Sequence, residues 1–278
     1  MGDEASKINK SVNAFVAQDP VSLAQWYHLD SNILDETREI GVYLPPSYKE
    51  QPDKDYPVIY LLDGDKTNLL GMSAIVESLS TDALEKQVPE FIVIAIPNTH
   101  RARDLTPTAT DLIFKGKVLA KIEGSGGADI FLNFLETELL PKIDYTFRTT
   151  ETKVLVGMSF GGLFAGHVLL HRPKLFSHYL LADATYVWDD NYLNRMLHKS
   201  KNLSSHKVKV FMALANNDHI GAHGVANLAW GNEFFDNLQS QSNDTFNVSK
   251  RYFPNERHGT VMMLAWYHGL IALFKKSP

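Results

Sequence analysis

The pentapeptide Gly157-Met158-Ser159-Phe160-Gly161 constrains this chain more than any other stretch, because of what flanks it. Lys153-Val154-Leu155-Val156 reads as a buried strand, and Gly161 to Leu170 places small and apolar residues at helical spacing. A serine between a strand and a helix sits in a tight turn with strained backbone, and glycines on either side remove Cβ atoms that would collide there. Its hydroxyl then projects from the end of the strand. Ser159 is therefore the candidate nucleophile.

The rest of the chain supplies a sheet for that turn. Strands are expected at Arg38 to Leu44, Val58 to Leu62, Phe91 to Ile96, Lys153 to Val156, Tyr179 to Leu181, Val208 to Leu214 and Val248 to Phe253, with an edge strand near Trp26 to Leu29. Helices are expected around Leu70 to Leu84, Asp129 to Ile143, Gly161 to His171, Val225 to Leu238 and Val261 to Phe274. Short apolar runs alternating with helical patterns predict an α/β fold, a mostly parallel, doubly wound sheet with helices on both faces. The 278 residues suit a single domain. Two long segments interrupt the alternation, at about 98–127 and 184–206, and loops of that length cover or line sites.

Composition removes several classes of function. A formal charge of -5 with no run of Lys or Arg argues against a nucleic-acid surface. The absence of cysteine excludes disulfides, thiolate metal sites and a cysteine nucleophile. It leaves the compartment open, cytoplasmic or periplasmic and secreted after removal of a leader. No stretch approaches the roughly 18 to 20 apolar residues of a membrane span, so a soluble chain is expected. Met1-Gly2-Asp3-Glu4-Ala5-Ser6 does not read as a signal peptide. The same residues fit the loose myristoylation pattern, but two acidic residues follow the glycine and no basic cluster supplies a second anchor.

A serine hydroxyl needs a base to take its proton during attack, and histidine titrates in the right range. Of eleven histidines, His167 and His171 fall on the helix after Ser159, and His28 and His178 fall in or beside strands. His258 lies in Pro254-Asn255-Glu256-Arg257-His258-Gly259-Thr260, between the last strand and the final helix, where a doubly wound sheet returns the chain to the carboxyl ends of its strands. His258 is the candidate base. An imidazole in this role needs a carboxylate to hold its tautomer, in the chain order serine, acid, histidine. Asp218 directly follows the strand Val208 to Leu214 and is the first choice. Glu256, two residues before the histidine, is the alternative acid, and Asp183, after the preceding strand, is the third. The amide of Phe160 and that of Asp65, in the turn Asp63-Gly64-Asp65, are the expected donors to an oxyanion. Tyr186, Trp188 and Trp230 are candidate walls for a hydrophobic substrate group.

These segments resemble a known family. Leu61-Leu62-Asp63-Gly64-Asp65, Asn98 to Arg101 continuing into Arg103-Asp104-Leu105-Thr106-Pro107, Gly157 to Gly162, and Glu256-Arg257-His258-Gly259 are similar, in order, to the "Putative esterase" family of α/β-hydrolases. That family includes siderophore trilactone esterases, feruloyl esterases and S-formylglutathione hydrolase. The resemblance runs from about Tyr43 to the C-terminus. It implies the α/β-hydrolase fold and a serine esterase of small-molecule substrates, with Ser159 as nucleophile, His258 as base and no cofactor. Where many relatives have Ser-Pro-Ser-aromatic after the sixth strand, this chain has Asp183-Ala184-Thr185-Tyr186-Val187-Trp188, which unsettles any acyl pocket carried over from the family.

Three other motifs have competing readings. Arg101-Ala102-Arg103-Asp104 either binds an anion at the mouth or pairs Arg103 with Asp104 to hold its loop, and the pairing is preferred. Gly124-Ser125-Gly126-Gly127 lacks the Lys-Ser/Thr of a phosphate cradle and reads as a loop leading into a helix. His219 and His223 have metal-pair spacing, but Gly221 weakens the helix that would align them, so no metal is expected. The reading is a carboxylic ester hydrolase working through an acyl-enzyme. Its rivals are a siderophore trilactone esterase, a feruloyl esterase and a non-catalytic binding protein on the same fold. The first of these calls for a basic mouth to meet its anionic ligand, which the net acidity disfavours.

Overall fold

The computed structural model describes residues 23–81, 84–200 and 203–274. The Met1 to Ser6 pattern lies outside them. Eight strands form one sheet: β1 (Gln25–Ser31), β2 (Glu36–Tyr43), β3 (Tyr56–Leu62), β4 (Ile92–Ile96), β7 (Thr149–Met158), β8 (His178–Ala182), β9 (Val208–Ala215) and β10 (Phe246–Phe253). A separate hairpin pairs β5 (Leu112–Phe114) with β6 (Lys117–Ala120). The large sheet runs β1-β2-β4-β3-β7-β8-β9-β10. Within it, only the β1–β2 and β2–β4 pairs are antiparallel. All later pairs are parallel, as the alternating pattern predicted.

The helices are α1 (Ser47–Glu50), α2 (Lys66–Thr81), α3 (Arg101–Leu105), α4 (Ala128–Phe134), α5 (Leu140–Thr146), α6 (Phe160–His171), α7 (Tyr192–Lys199), α8 (Ala222–Gln239) and α9 (Met262–Phe274). A π-helical turn, Leu135–Leu139, joins α4 to α5, so the one helix expected from Asp129 to Ile143 is three helical pieces. Strands buried on both faces need apolar residues at consecutive positions. β3 shows this: Val58, Tyr60 and Leu62 point into one core with residues of α4, α6, α7 and α8, while Ile59 and Leu61 point into the other with residues of α2 and α9. The sheet is thus covered on both sides, which is the expected fold.

The parallel arrangement brings the ends of β3, β7, β8, β9 and β10 to one rim, where connecting loops converge. The 98–127 segment contributes α3 and the hairpin. It is anchored from below by Arg38, which is buried and bonds Asp104 at 2.7 Å, Glu36 at 2.8 Å and the Thr99 hydroxyl at 2.6 Å. Arg103 bonds Asp104 at 2.7 Å and Glu36 at 2.8 Å, the pairing preferred from sequence. Burial would push the Glu36 carboxyl up, but hydrogen bonds from Arg103, Arg38 and Thr99 hold it down at about 2. Gly124 to Gly127 forms the loop into α4, tied by the Ser125 hydroxyl to the Thr110 carbonyl at 2.8 Å.

Candidate active site

Ser159 caps β7 and precedes α6 with φ of 59° and ψ of -118°, a conformation rare for a residue with a side chain. The turn closes because its neighbours are small: a Cβ on Gly157 would lie 2.2 Å from the Gly161 carbonyl oxygen. The Ser159 amide donates to the Ala182 carbonyl at 3.1 Å, and its carbonyl accepts from the Thr185 amide at 3.1 Å. The serine turn is therefore sewn to the loop after β8. The Ser159 hydroxyl lies 3.3 Å from that of Thr185.

His258 stands between β10 and α9, and its Nδ1 lies 2.6 Å from Asp183 Oδ2. A carboxylate only accepts, so Nδ1 carries the proton and Nε2 is the nitrogen left over. Asp183 directly follows β8, is 1% exposed, and takes φ of 40°. It also accepts from the Ala215 amide at 3.1 Å and the Asn217 carboxamide at 2.8 Å. Three donors compensate the buried charge. Asn217, buried at the end of β9, uses its carbonyl oxygen to accept the His258 amide at 2.9 Å. One carboxamide thus grips both the carboxylate and the histidine main chain.

The geometry pairs His258 with a carboxylate other than the first expected one. Asp218 is exposed in a 3-10 turn, where its amide bonds the Asn216 side chain at 3.2 Å, and it does not reach the imidazole. Chain order and location after a strand fit Asp218 and Asp183 equally, and burial beside the histidine singles out Asp183. Glu256 ties the two loops by its main chain, accepting from the Asn216 amide at 2.9 Å. His258 Nδ1 bonds Asp183 and not Glu256. Sequence reasoning ranked Asp183 last and missed Asn217 and Thr185. Two polar Asn residues closing the apolar run Val210 to Ala215 were the available signal for Asn217.

Two clefts meet at the serine, each lined by both Ser159 and His258. The larger, about 420 Å³, gathers the polar side chains of Asp63, Asp65, Asn68, Asn98 and Arg101 beside Met158 and Met262. The smaller, about 220 Å³, includes Leu112 from the hairpin, Phe160, Val187 and Ile220. Phe160 opens α6, where the first amides of a helix lack intrahelical acceptors. In the β3 turn the Gly64 amide is taken by the Ile96 carbonyl at 3.0 Å, and the Asp65 amide makes a short turn contact to the Asp63 carbonyl at 2.9 Å.

The aromatic walls expected from sequence are elsewhere. Tyr186 and Trp188 are fully buried: Trp188 packs edge-on against Phe160 and donates to Thr108 Oγ1 at 2.9 Å, and Tyr186 packs on Phe234. Burial and the neighbouring Asp183 charge push the Tyr186 phenol well above its usual range, keeping it neutral. Trp230 supports the hairpin through Phe114, with ring centroids 6.0 Å apart. Tyr186 and Trp188 fill the space beneath the site, and Trp230, half-buried on α8, lines neither cleft at the serine. His167 is likewise internal, bonded to Tyr192 and Asp129 at 2.9 Å each. Among the described residues no group of three or more His, Asp or Glu side chains is placed to hold a metal. None of the described helices is long and apolar enough to cross a membrane.

A strained serine at a strand-to-helix turn, lining the same clefts as a histidine paired with a buried aspartate, at the carboxyl rim of a mostly parallel sheet covered by helices on both faces, is the architecture of an α/β-hydrolase. The chain belongs to the "Putative esterase" family, whose model matches residues 31–264. It is 29% identical over 168 residues to the ferri-bacillibactin esterase of Bacillus subtilis, covering 57% of each chain. With the siderophore triacetylfusarinine C esterase of Aspergillus fumigatus it shares 30% identity over 156 residues, 52% of this chain and 48% of that one. The chain spans about half the length of these curated relatives. A crystal structure of an IroE-like serine hydrolase from Shewanella oneidensis superposes with a TM-score of 0.81 at 35% identity, covering 91% of this chain and 80% of the other.

Proposed function

We propose that this protein hydrolyses a small-molecule carboxylic ester through an acyl-enzyme, with Ser159, His258 and Asp183 as its catalytic triad. The observation that carries this reading is the 2.6 Å contact between His258 and the buried Asp183, in a rim that also presents Ser159. With Nδ1 committed to the carboxylate, Nε2 takes the Ser159 proton as the hydroxyl attacks the ester carbonyl. Charge forming on the carbonyl oxygen is met by the Phe160 amide and by the Asp65 amide. The latter leaves a bent three-residue turn, whose hydrogen bond is a weak competitor for an oxyanion. The imidazolium then returns its proton to the departing alcohol, and water repeats the sequence on the acyl-enzyme.

The same reading treats the chain as one α/β-hydrolase domain carrying insertions at 98–127 and 184–206. A narrower second reading, a siderophore esterase, is favoured by the names of the curated relatives. A panel of p-nitrophenyl esters and a fluorophosphonate label test the proposal directly. Wild-type protein should turn over esters and take up the label at Ser159, while Ser159→Ala should lose at least about 10⁴-fold in kcat and all labelling. A correctly folded protein that neither reacts with fluorophosphonate nor cleaves any ester is a binding protein on this fold.

A further inference from the structure

The polar cleft beside Ser159 contains one arginine, Arg101, and no lysine. The smaller cleft contains neither. That arginine is not free to meet a ligand. Its Nε donates to Asp63 Oδ1 at 2.6 Å and its Nη2 to Asp63 Oδ2 at 2.9 Å, a two-pronged pairing that matches guanidinium to carboxylate. Nη2 also lies 3.5 Å from the Met158 carbonyl, and the guanidinium covers the Phe160 ring at 5.2 Å. Asp63 is held in turn: it takes φ of 53°, and its Oδ1 accepts from Asn98 at 2.5 Å. With Arg101 neutralised, Asp65 remains as an exposed carboxylate on the wall, its Oδ1 accepting the Asn68 amide at 2.8 Å. The lining formally carries two carboxylates and one guanidinium.

We infer that this cleft accepts the uncharged or cationic arm of an ester and rejects an anionic one, with Asp63 setting the preference by engaging Arg101. The inference rests on the hydrolase reading above and narrows its substrate class. The apolar arm occupies the cleft of Leu112, Val187 and Ile220. An anionic group opposite would face Asp65 with no unpaired cation among the lining residues to receive it, and like-charge contacts select against a partner more strongly than exposed pairs select for one. Asp63 therefore determines specificity while standing outside the triad.

Two matched ester series test this through the ratio of kcat/KM for anionic and neutral members. One keeps a butyryl group and varies the alcohol among choline, its neutral carbon isostere and a chain of equal length ending in carboxylate. The other keeps p-nitrophenol and varies the acyl end in the same three ways. In the series whose varied arm enters the polar cleft, wild type should take the anionic ester about tenfold less well than the neutral one, the size expected of a like charge at a half-exposed site. Asp63→Asn, which retains a side chain tolerant of positive φ, should release Arg101 and raise the ratio about tenfold. Arg101→Gln should lower it further. Asp65→Asn keeps an acceptor for the Asn68 amide and should raise the ratio even if the Asp63 variant fails to fold. The ratio cancels differences in the amount of active protein. Equal use of anionic and neutral esters by wild type in both series overturns the inference, as does a ratio unmoved in the Asp63 and Asp65 variants while neutral esters are still cleaved. Absence of turnover on every ester by wild type overturns the hydrolase reading, and this inference with it.

Discussion

The loops after β8 and β9 each carry an aspartate, and they differ in what surrounds the carboxylate. After β8, Asp183 is 1% exposed and receives Ala215, Asn217 and His258. After β9, Asp218 faces solvent from a short 3-10 turn, and the buried polar position beside it is filled by Asn217. The carboxylate that can orient an imidazole is the one already desolvated and held by fixed donors, because an exposed one must order itself on each encounter and is screened by water. The β9 loop still contributes to the site, through a carboxamide where a carboxylate was expected. A second charge at that position would face Asp183 Oδ2 across 2.8 Å.

The largest test of this contrast is Asp183→Asn. Asparagine tolerates the positive φ of the position, so the turn should persist while the imidazole loses its tautomer, and kcat should fall about 10³- to 10⁴-fold. A fall under tenfold would remove Asp183 from the triad. Asn217→Ala should lower kcat roughly 10- to 100-fold with a smaller change in KM, since it releases both the carboxylate and the His258 main chain. Equal changes in kcat and KM would make Asn217 merely structural. Gly224 packs beneath this loop, and a Cβ there would lie 1.9 Å from the Asn217 carbonyl oxygen. Gly224→Ala should therefore destabilise the fold by about 1–3 kcal/mol in urea titration and reduce activity as the loop shifts.

Glu36 extends the comparison to a carboxylate whose donors outweigh its burial. Its carboxyl falls from 4.5 to about 2 on folding, so its stabilisation is complete above the unfolded value and is lost as pH falls through the folded one. Glu36→Gln should flatten the acid limb of the stability curve in that window, as followed by denaturation at stepped pH. The smallest effects belong to Asp218→Asn and Glu256→Gln, each expected within about twofold of wild type in kcat/KM, as for surface substitutions. A large loss in either would return the acid to the β9 loop or to the neighbour of His258.

Much of this was legible along the chain. β3, β4, Val154 to Val156 of β7 and Val210 to Ala215 of β9 are apolar runs because both faces are buried, and a run of that kind is readable without knowing its neighbours. The Ser159 turn was legible because its glycines and flanking elements are local. Tyr186 and Trp188 were misplaced for the opposite reason: an aromatic on a long loop looks the same whether it lines a cleft or fills the space under it. The hairpin at 112–120 and helix α7, both inside segments read as loops, form against surfaces supplied by distant parts of the chain, as the Phe114–Trp230 contact shows.

The sequence by itself determined the α/β architecture, the serine turn and the histidine at the far end of the chain, because periodicity, glycine placement and chain order are properties of neighbouring residues. Tertiary structure alone decided which aspartate meets His258, which aromatics are core, and that Arg101 is engaged by Asp63. Each of those depends on burial and on partners brought together from separate strand ends, and linear order carries no measure of either.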